Sequence, residues 1–169
     1  TVSMATYGGV ANSVTVVPGG FAVAAEASPK TSPGKVVFFN ATGTFISEVI
    51  VGAQPDHVCV TPNGQKVLVA NEGERQSDSN NPAGSVSLID VQRNGALTTT
   101  VTDATFSAFD GQEAALRASG VRIQAGVAAS VAFEPEYIAV APNGETALIT
   151  LQENNAIAEL NLQTAQFTR

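Results

Sequence analysis

The chain has 169 residues, about one domain, and its 44% apolar content is enough to bury a core. Only 14% of its residues are charged, against about 25% in an ordinary soluble domain, and the net charge is −7 with eight Lys and Arg scattered singly. This excludes a nucleic-acid surface built on clustered basic residues, disfavours an anionic membrane face, and leaves cation binding open.

In chain order, Thr1 to Gly9 carries no clear element beyond a turn at Gly8-Gly9. Val14 to Val17 and Phe21 to Ala25 read as short strands around Pro18-Gly19-Gly20. Ala27 to Gly34 is a loop, because two prolines, two serines and a glycine forbid a central strand. Lys35 to Phe39 and Phe45 to Val51 follow as strands, joined through Asn40-Ala41-Thr42-Gly43, which also matches an N-glycosylation triplet of a kind common by chance. The plan then repeats. Val58 to Thr61 and Lys66 to Ala70 flank Pro62-Asn63-Gly64, where proline presets one φ and Asn-Gly accepts the positive φ after it. Glu74 to Gly84 is a polar loop, and Ser85 to Val91 and Ala96 to Thr102 are strands around Gln92-Arg93-Asn94-Gly95.

Residues 103–133 break the rhythm. Gln112 to Ala118 predicts one short helix with Asp110 as N-cap and Gly120 as its stop, followed by an extended segment, Val121 to Ile123. No second turn marker appears, so this stretch reads as an insertion rather than a degenerate blade. A third unit follows: Tyr137 to Ala141, Thr146 to Leu151 after Pro142-Asn143-Gly144, a short connection Gln152 to Asn155, and Ala156 to Leu162. Its fourth strand would begin near Gln166, and the chain ends at Arg169.

Ala11 to Glu26, Gln54 to Glu74 and Glu134 to Asn154 are thus altered copies of one pattern: apolar run, tight turn, apolar run, glutamate. Near-continuous apolar strands are buried on both faces. Four-stranded antiparallel units of about 44 residues with both faces buried describe an all-β propeller. The expected blades are 11–52, 54–102 and, after the insertion 103–133, a truncated one at 134–169. Three blades and a fraction do not close a ring, so the remaining blades are expected from a longer chain or a partner chain. No apolar run reaches the roughly 18 residues of a transmembrane helix. The chain opens on Thr1-Val2-Ser3 without a signal peptide, as a mature or trimmed form would.

Aligning the copies sets Glu26, Glu72 and Glu153 together after the second strands, and Asn12, Asp56 and Glu136 before the first strands. In antiparallel neighbours these positions share one end, so Asp56 and Glu72, and Glu136 and Glu153, are expected near the axis on one face, with Glu74 and Glu134 close by. Converging carboxylates repel each other; either some protonate or a cation binds. An oxygen-rich, cysteine-free set suits calcium or another divalent cation, and His57 would add a nitrogen ligand. The alternative is that these acids cap backbone amides between blades. The one cysteine, Cys59, excludes an internal disulfide and reads as a buried thiol. A single histidine and no G-x-S-x-G elbow make a serine triad improbable, and no phosphate-binding glycine loop is present. Catalytic residues are not identifiable. Arg117 and Arg122 flank the insertion and read as helix-end or ion-pair residues rather than an anion site.

NSVTVVPGGFAVAAEASPKTSPGKVVFFNATG, PDHVCVTPNGQKVLVANEGE with GSVSLIDV, and GVRIQ with EPEYIAVAPNGETALITLQENNAIAELNL together resemble the choice-of-anchor I β-propeller family, from Asn12 to Leu162. The PNG turns are general to YVTN-like propellers; VLVANEGE and EPEYIAV…TLQENNAIA are the specific part. The resemblance implies an extracellular, periplasmic or cell-surface protein. It also implies calcium-dependent phosphoester hydrolysis, since members are often described as atypical alkaline phosphatases, others simply as surface glycoproteins. The family's acidic motifs match Glu72, Glu74, Glu134, Glu136 and Glu153, whereas His57 stands where members commonly carry a hydrophobic residue.

Overall fold

The computed structural model describes residues 1–93 and 97–169. Three four-stranded antiparallel sheets follow one another along the chain, each with its strands in sequential order. The first holds β1 (Ala11–Val17), β2 (Gly20–Ala25), β3 (Pro33–Asn40) and β4 (Phe45–Ala53). The second holds β5 (Pro55–Val60), β6 (Lys66–Asn71), β7 (Ser85–Arg93) and β8 (Leu97–Thr105). The turn expected over residues 92–95 and the strand start at residue 96 fall largely outside the described residues. The third holds β9 (Ile138–Val140), β10 (Thr146–Leu151), β11 (Ala156–Asn161) and the two-residue β12 (Gln166–Phe167), the short last strand that the sequence predicts.

The two PNG turns close as their chemistry requires, with Gly64 and Gly144 both at φ +72°. Sheets stack face to face about a shared axis: β1 lies against β5 and β5 against β9, so the first strands are innermost. Between the first two blades Val17, Ala22, Ala24, Val36 and Phe38 meet Val58, Val67, Val69 and Ile89. Between the second and third, Leu68, Ala70, Val86 and Leu88 meet Ile138, Ala147, Ile149 and Leu160. Strands β2 and β6 are buried along nearly their whole length, which explains their unbroken apolar sequence. This is the stacked-blade geometry of a β-propeller.

The inter-blade joints repeat as well. Any Cβ on Gly34 would stand 2.5 Å from Pro55 Cδ, and any Cβ on Gly84 would stand 2.5 Å from Pro135 Cδ and 2.2 Å from the Phe133 carbonyl. Gly34 lies at the start of β3 and Gly84 directly before β7, and each proline leads into the next blade. Only a residue without a side chain admits that approach.

The insertion differs from expectation in three ways. The helix α1 (Glu113–Ala118) is capped at Gln112 with no side-chain bond, not at Asp110. Asp110 instead accepts the Ser130 amide (2.8 Å) and hydroxyl (2.9 Å) across the insertion. A second helix, α2 (Ala129–Ala132), and a single 3-10 turn at Ser107–Phe109 accompany α1, so the segment is not one helix. Val121 to Ile123 forms no strand; the Arg122 amide donates to the Asn154 carbonyl instead. Phe106, Phe109, Phe133 and Phe167 pack together and join this cap to the outer edge of the third blade.

Candidate functional site

The lead-in to each first strand and the exit of each second strand meet at one end of the axis. The Glu72 amide donates to the Gln54 carbonyl (2.9 Å), and the Glu26 amide to the Val10 carbonyl (2.8 Å), so the first two blades build this corner alike. Strand register then corrects the alignment of the third. Val23 pairs with Val14, Val69 with Val58 and Ile149 with Ile138. Counting on from these pairs, Glu26 and Glu72 share a position that Gln152 occupies in the third blade. Glu153 lies one residue further along.

The acids nonetheless act on one another. Burial, followed by the charges of Asp56, Glu74, Glu134 and Glu136, pushes the half-buried Glu72 carboxyl up to about 7. Glu134 is raised by burial and by Glu153 and Glu74, against the Arg75 amide that donates to its Oε1 (3.2 Å). Glu136 is raised by burial, Asp56, Glu153 and Glu134. Glu74 moves the other way, held low by its hydrogen bond with the Lys30 ammonium. The same ammonium feels Glu26 and Glu72. Of the seven acids singled out in the sequence, Asp56, Glu72, Glu74, Glu134, Glu136 and Glu153 are linked in one electrostatic neighbourhood, whereas Glu26 is tied to it only through Lys30, the cation on the first-blade side. Among the described residues no group of three or more His, Cys, Asp and Glu side chains stands in ready metal-holding geometry.

Three polar residues that the sequence reading did not single out complete the corner. Gln54 is buried, and its Nε2 donates to Glu72 Oε2 and, at 3.3 Å, to Glu74 Oε2, while its Oε1 is buried with no partner. Asn71 is fully buried and donates to Ser85 Oγ (3.1 Å) and Ser87 Oγ (2.9 Å), leaving its Oδ1 unpartnered. Asn154 accepts the Glu134 amide (3.1 Å) and donates to the carbonyls of Arg122 (2.9 Å) and Ala132 (2.7 Å), fastening the insertion to the acidic end. For Asn71 and Asn154 the one signal in the sequence is position, an uncharged amide beside a repeated glutamate; Gln54, between Ala53 and Pro55, carries no such signal. Arg122 shares a cleft with Arg75, Glu134 and Glu153, whereas Arg117 lies in the last turn of α1.

His57 is a structural residue in this arrangement. Its ring stacks on Tyr137 (centroids 3.8 Å apart) and its Nδ1 accepts the Ile138 amide (3.2 Å). Burial lowers its pKa against the pull of Asp56. Cys59 is a free thiol that burial pushes up to about 12, far from thiolate reactivity.

A family model for the choice-of-anchor I domain matches residues 1–169. The chain belongs to the choice-of-anchor I family. No curated protein matches it. Among solved structures, this choice-of-anchor I chain is similar to a eukaryotic initiation factor, with a TM-score of 0.57, 15% identity, and coverage of 100% of this chain and 33% of that one. It is similar to Kuenenia stuttgartiensis hydrazine synthase, with a TM-score of 0.55, 13% identity, and 89% and 39% coverage. It is also similar to a functionally unknown protein from Desulfotomaculum acetoxidans DSM 771, with a TM-score of 0.59, 12% identity, and 96% and 43% coverage. At such identities the likeness speaks for the fold alone. The chain spans less than half the length of each of these proteins. No helix among the described residues is long and apolar enough to cross a membrane.

Proposed function

We propose that this chain is part of a secreted or cell-surface propeller whose axial acids bind a divalent cation, calcium foremost. The observation carrying this reading is the Gln54 corner: a buried amide oxygen without a partner, on a side chain already touching Glu72 and Glu74. Calcium takes six to eight oxygens from carboxylates, amide carbonyls and water. Glu72 and Glu74 supply carboxylate oxygens of that kind, and Gln54 Oε1 joins them once its amide turns over, with Asp56 and Glu136 near enough to act on Glu72. In this reading the cation releases Lys30 from Glu74, and its stabilising energy offsets the mutual repulsion of the acids. Calcium that binds the folded chain raises its melting temperature by mass action. The expected result is a rise on adding millimolar calcium that Gln54→Leu and Glu72→Gln each reduce; no shift in the parent chain contradicts the reading.

A second reading, metal-dependent phosphomonoester hydrolysis, is favoured by the cleft where Arg75 and Arg122 stand with Glu134 and Glu153. Guanidinium groups suit a phosphoryl group, and a bound cation would polarise its oxygens. The test is release of p-nitrophenol from its phosphate ester with and without chelator, in the parent chain and in Glu72→Gln and Glu136→Gln. Turnover that chelator abolishes and both variants lower supports hydrolysis. Chelation that lowers only the melting temperature leaves a non-catalytic propeller with structural calcium.

A further inference from the structure

We propose that the cleft between the 75–81 loop and the insertion binds a small zwitterion, a short aliphatic α-amino acid, with Arg122 as its cationic pole and Glu134 and Glu153 as its anionic pole. This ligand needs no metal ion beside it, and the proposal is independent of the calcium reading of the Gln54 corner.

The four charged residues that line the cleft are not equivalent. The Arg75 guanidinium is taken by Asp78, and those two charges cancel. Arg122, Glu134 and Glu153 form no ion pair among the described residues. What remains is one guanidinium set against two carboxylates. Glu134 and Glu153 repel each other, and burial adds to the cost of ionising Glu134. An ammonium between them relieves that repulsion. Asn81 borders the same space, and its buried Oδ1 has no hydrogen-bond partner, so a donor is wanted there. A carboxylate, in turn, matches the planar fork of Arg122. A bare anion meets the two glutamates, and a bare cation leaves Arg122 unmatched. A phosphoryl dianion requires the metal ion of the second reading to approach those glutamates; an amino acid does not.

One buried side chain ties the two poles together. Asn154, 4% exposed, accepts the Glu134 amide at Oδ1 (3.1 Å), and its Nδ2 donates to the Arg122 carbonyl (2.9 Å). The Arg122 amide returns a bond to the Asn154 carbonyl (2.8 Å). The backbone on both sides of the cleft is thereby fixed to the residue beside Glu153, which leaves little for a ligand to order.

Size and the remaining wall select the ligand. The cavity holds about 180 Å³, below the roughly 300 Å³ at which sites for drug-sized molecules begin. Val127, Val131 and Ala132 form its apolar side, which suits a short aliphatic side chain and opposes a further charge.

Isothermal titration calorimetry of the 169-residue chain in chelator tests the proposal, with L-alanine as the probe. Propionate and ethylamine, each carrying one of alanine's two charges, are titrated beside it. The expected result is saturable binding of L-alanine, with both half-ligands weaker by about tenfold or more. Arg122→Met and Glu134→Gln should each weaken L-alanine by a similar factor with circular dichroism unchanged, since the Asn154 bonds run to backbone. Glu153→Gln serves where Glu134→Gln does not fold. No saturable heat at tens of millimolar L-alanine overturns the proposal. So does propionate that binds as tightly as L-alanine, or L-alanine binding that these substitutions leave unchanged. The melting-temperature response to calcium is read separately, so either reading can fail without the other.

Discussion

At the residue scale, Glu72 and His57 pull stability in opposite directions with pH. Glu72 has a folded pKa of about 7, above the carboxylate reference of 4.5. The folded state therefore holds its proton more tightly than the unfolded chain. The cost of ionising Glu72 in place is absent below 4.5, grows as pH rises and is complete above about 7. In metal-free buffer Glu72→Gln should gain on the parent chain between pH 5 and pH 8. Screening at a half-exposed group leaves that gain on the order of 1 kcal/mol, read from urea midpoints. His57 has a folded pKa below 6.5, so its contribution is present above 6.5 and is lost as pH falls through the lowered value. His57→Ala removes the acceptor for the Ile138 amide and the stack on Tyr137, and should cost about 1–2 kcal/mol at pH 8 and less at pH 5. An equal cost at both pH values would contradict the assigned neutral imidazole. Of these two residues the sequence revealed the glutamate, through repetition and charge. It did not reveal the histidine's partners, because a contact to Ile138 lies a whole blade away.

At the element scale, the strands were legible wherever a turn marker and an apolar run coincided, as at Pro62-Asn63-Gly64 and Pro142-Asn143-Gly144. The insertion was legible only where local signals were long enough. Six residues of good helix formers gave α1, but the four of Ala129–Ala132 are too short to show a helical period. Asp110 looked like a cap because it precedes a helix, and tertiary bonding to Ser130 took it elsewhere. Glu153 shows the same competition: the repeated glutamate aligns it with Glu26 and Glu72, whereas strand pairing sets Gln152 at that position. The glycine–proline joints yield a sharp expectation. Gly84→Ala forces a methyl to 2.2 Å from a backbone carbonyl that has nowhere to go. It should cost 2 kcal/mol or more, roughly the upper range for overpacking. Gly111→Ala, with no atom within 4 Å of its new Cβ but φ at +84°, should cost about 1 kcal/mol from backbone strain alone. Thermal unfolding of the pair separates crowding from strain; equal losses would contradict the joint.

At the scale of the whole molecule, three stacked blades bring one end of each first and second strand to a common axis, and there the repeat concentrates its acids. Position in the fold, more than any single motif, creates the chemistry: Glu72 shifts because sheets from two blades bury it beside charges it does not neighbour in sequence. A divalent cation would reverse that shift, since only the ionised carboxylate binds metal. The most direct test is to follow the Glu72 side-chain carboxyl by carbon-13 NMR through a pH titration, with chelator and then with calcium. The expected midpoint is about 7 with chelator, falling by more than one pH unit with calcium. A midpoint near 4.5 that calcium leaves unmoved would contradict both the convergence of the acids and their role as a cation site.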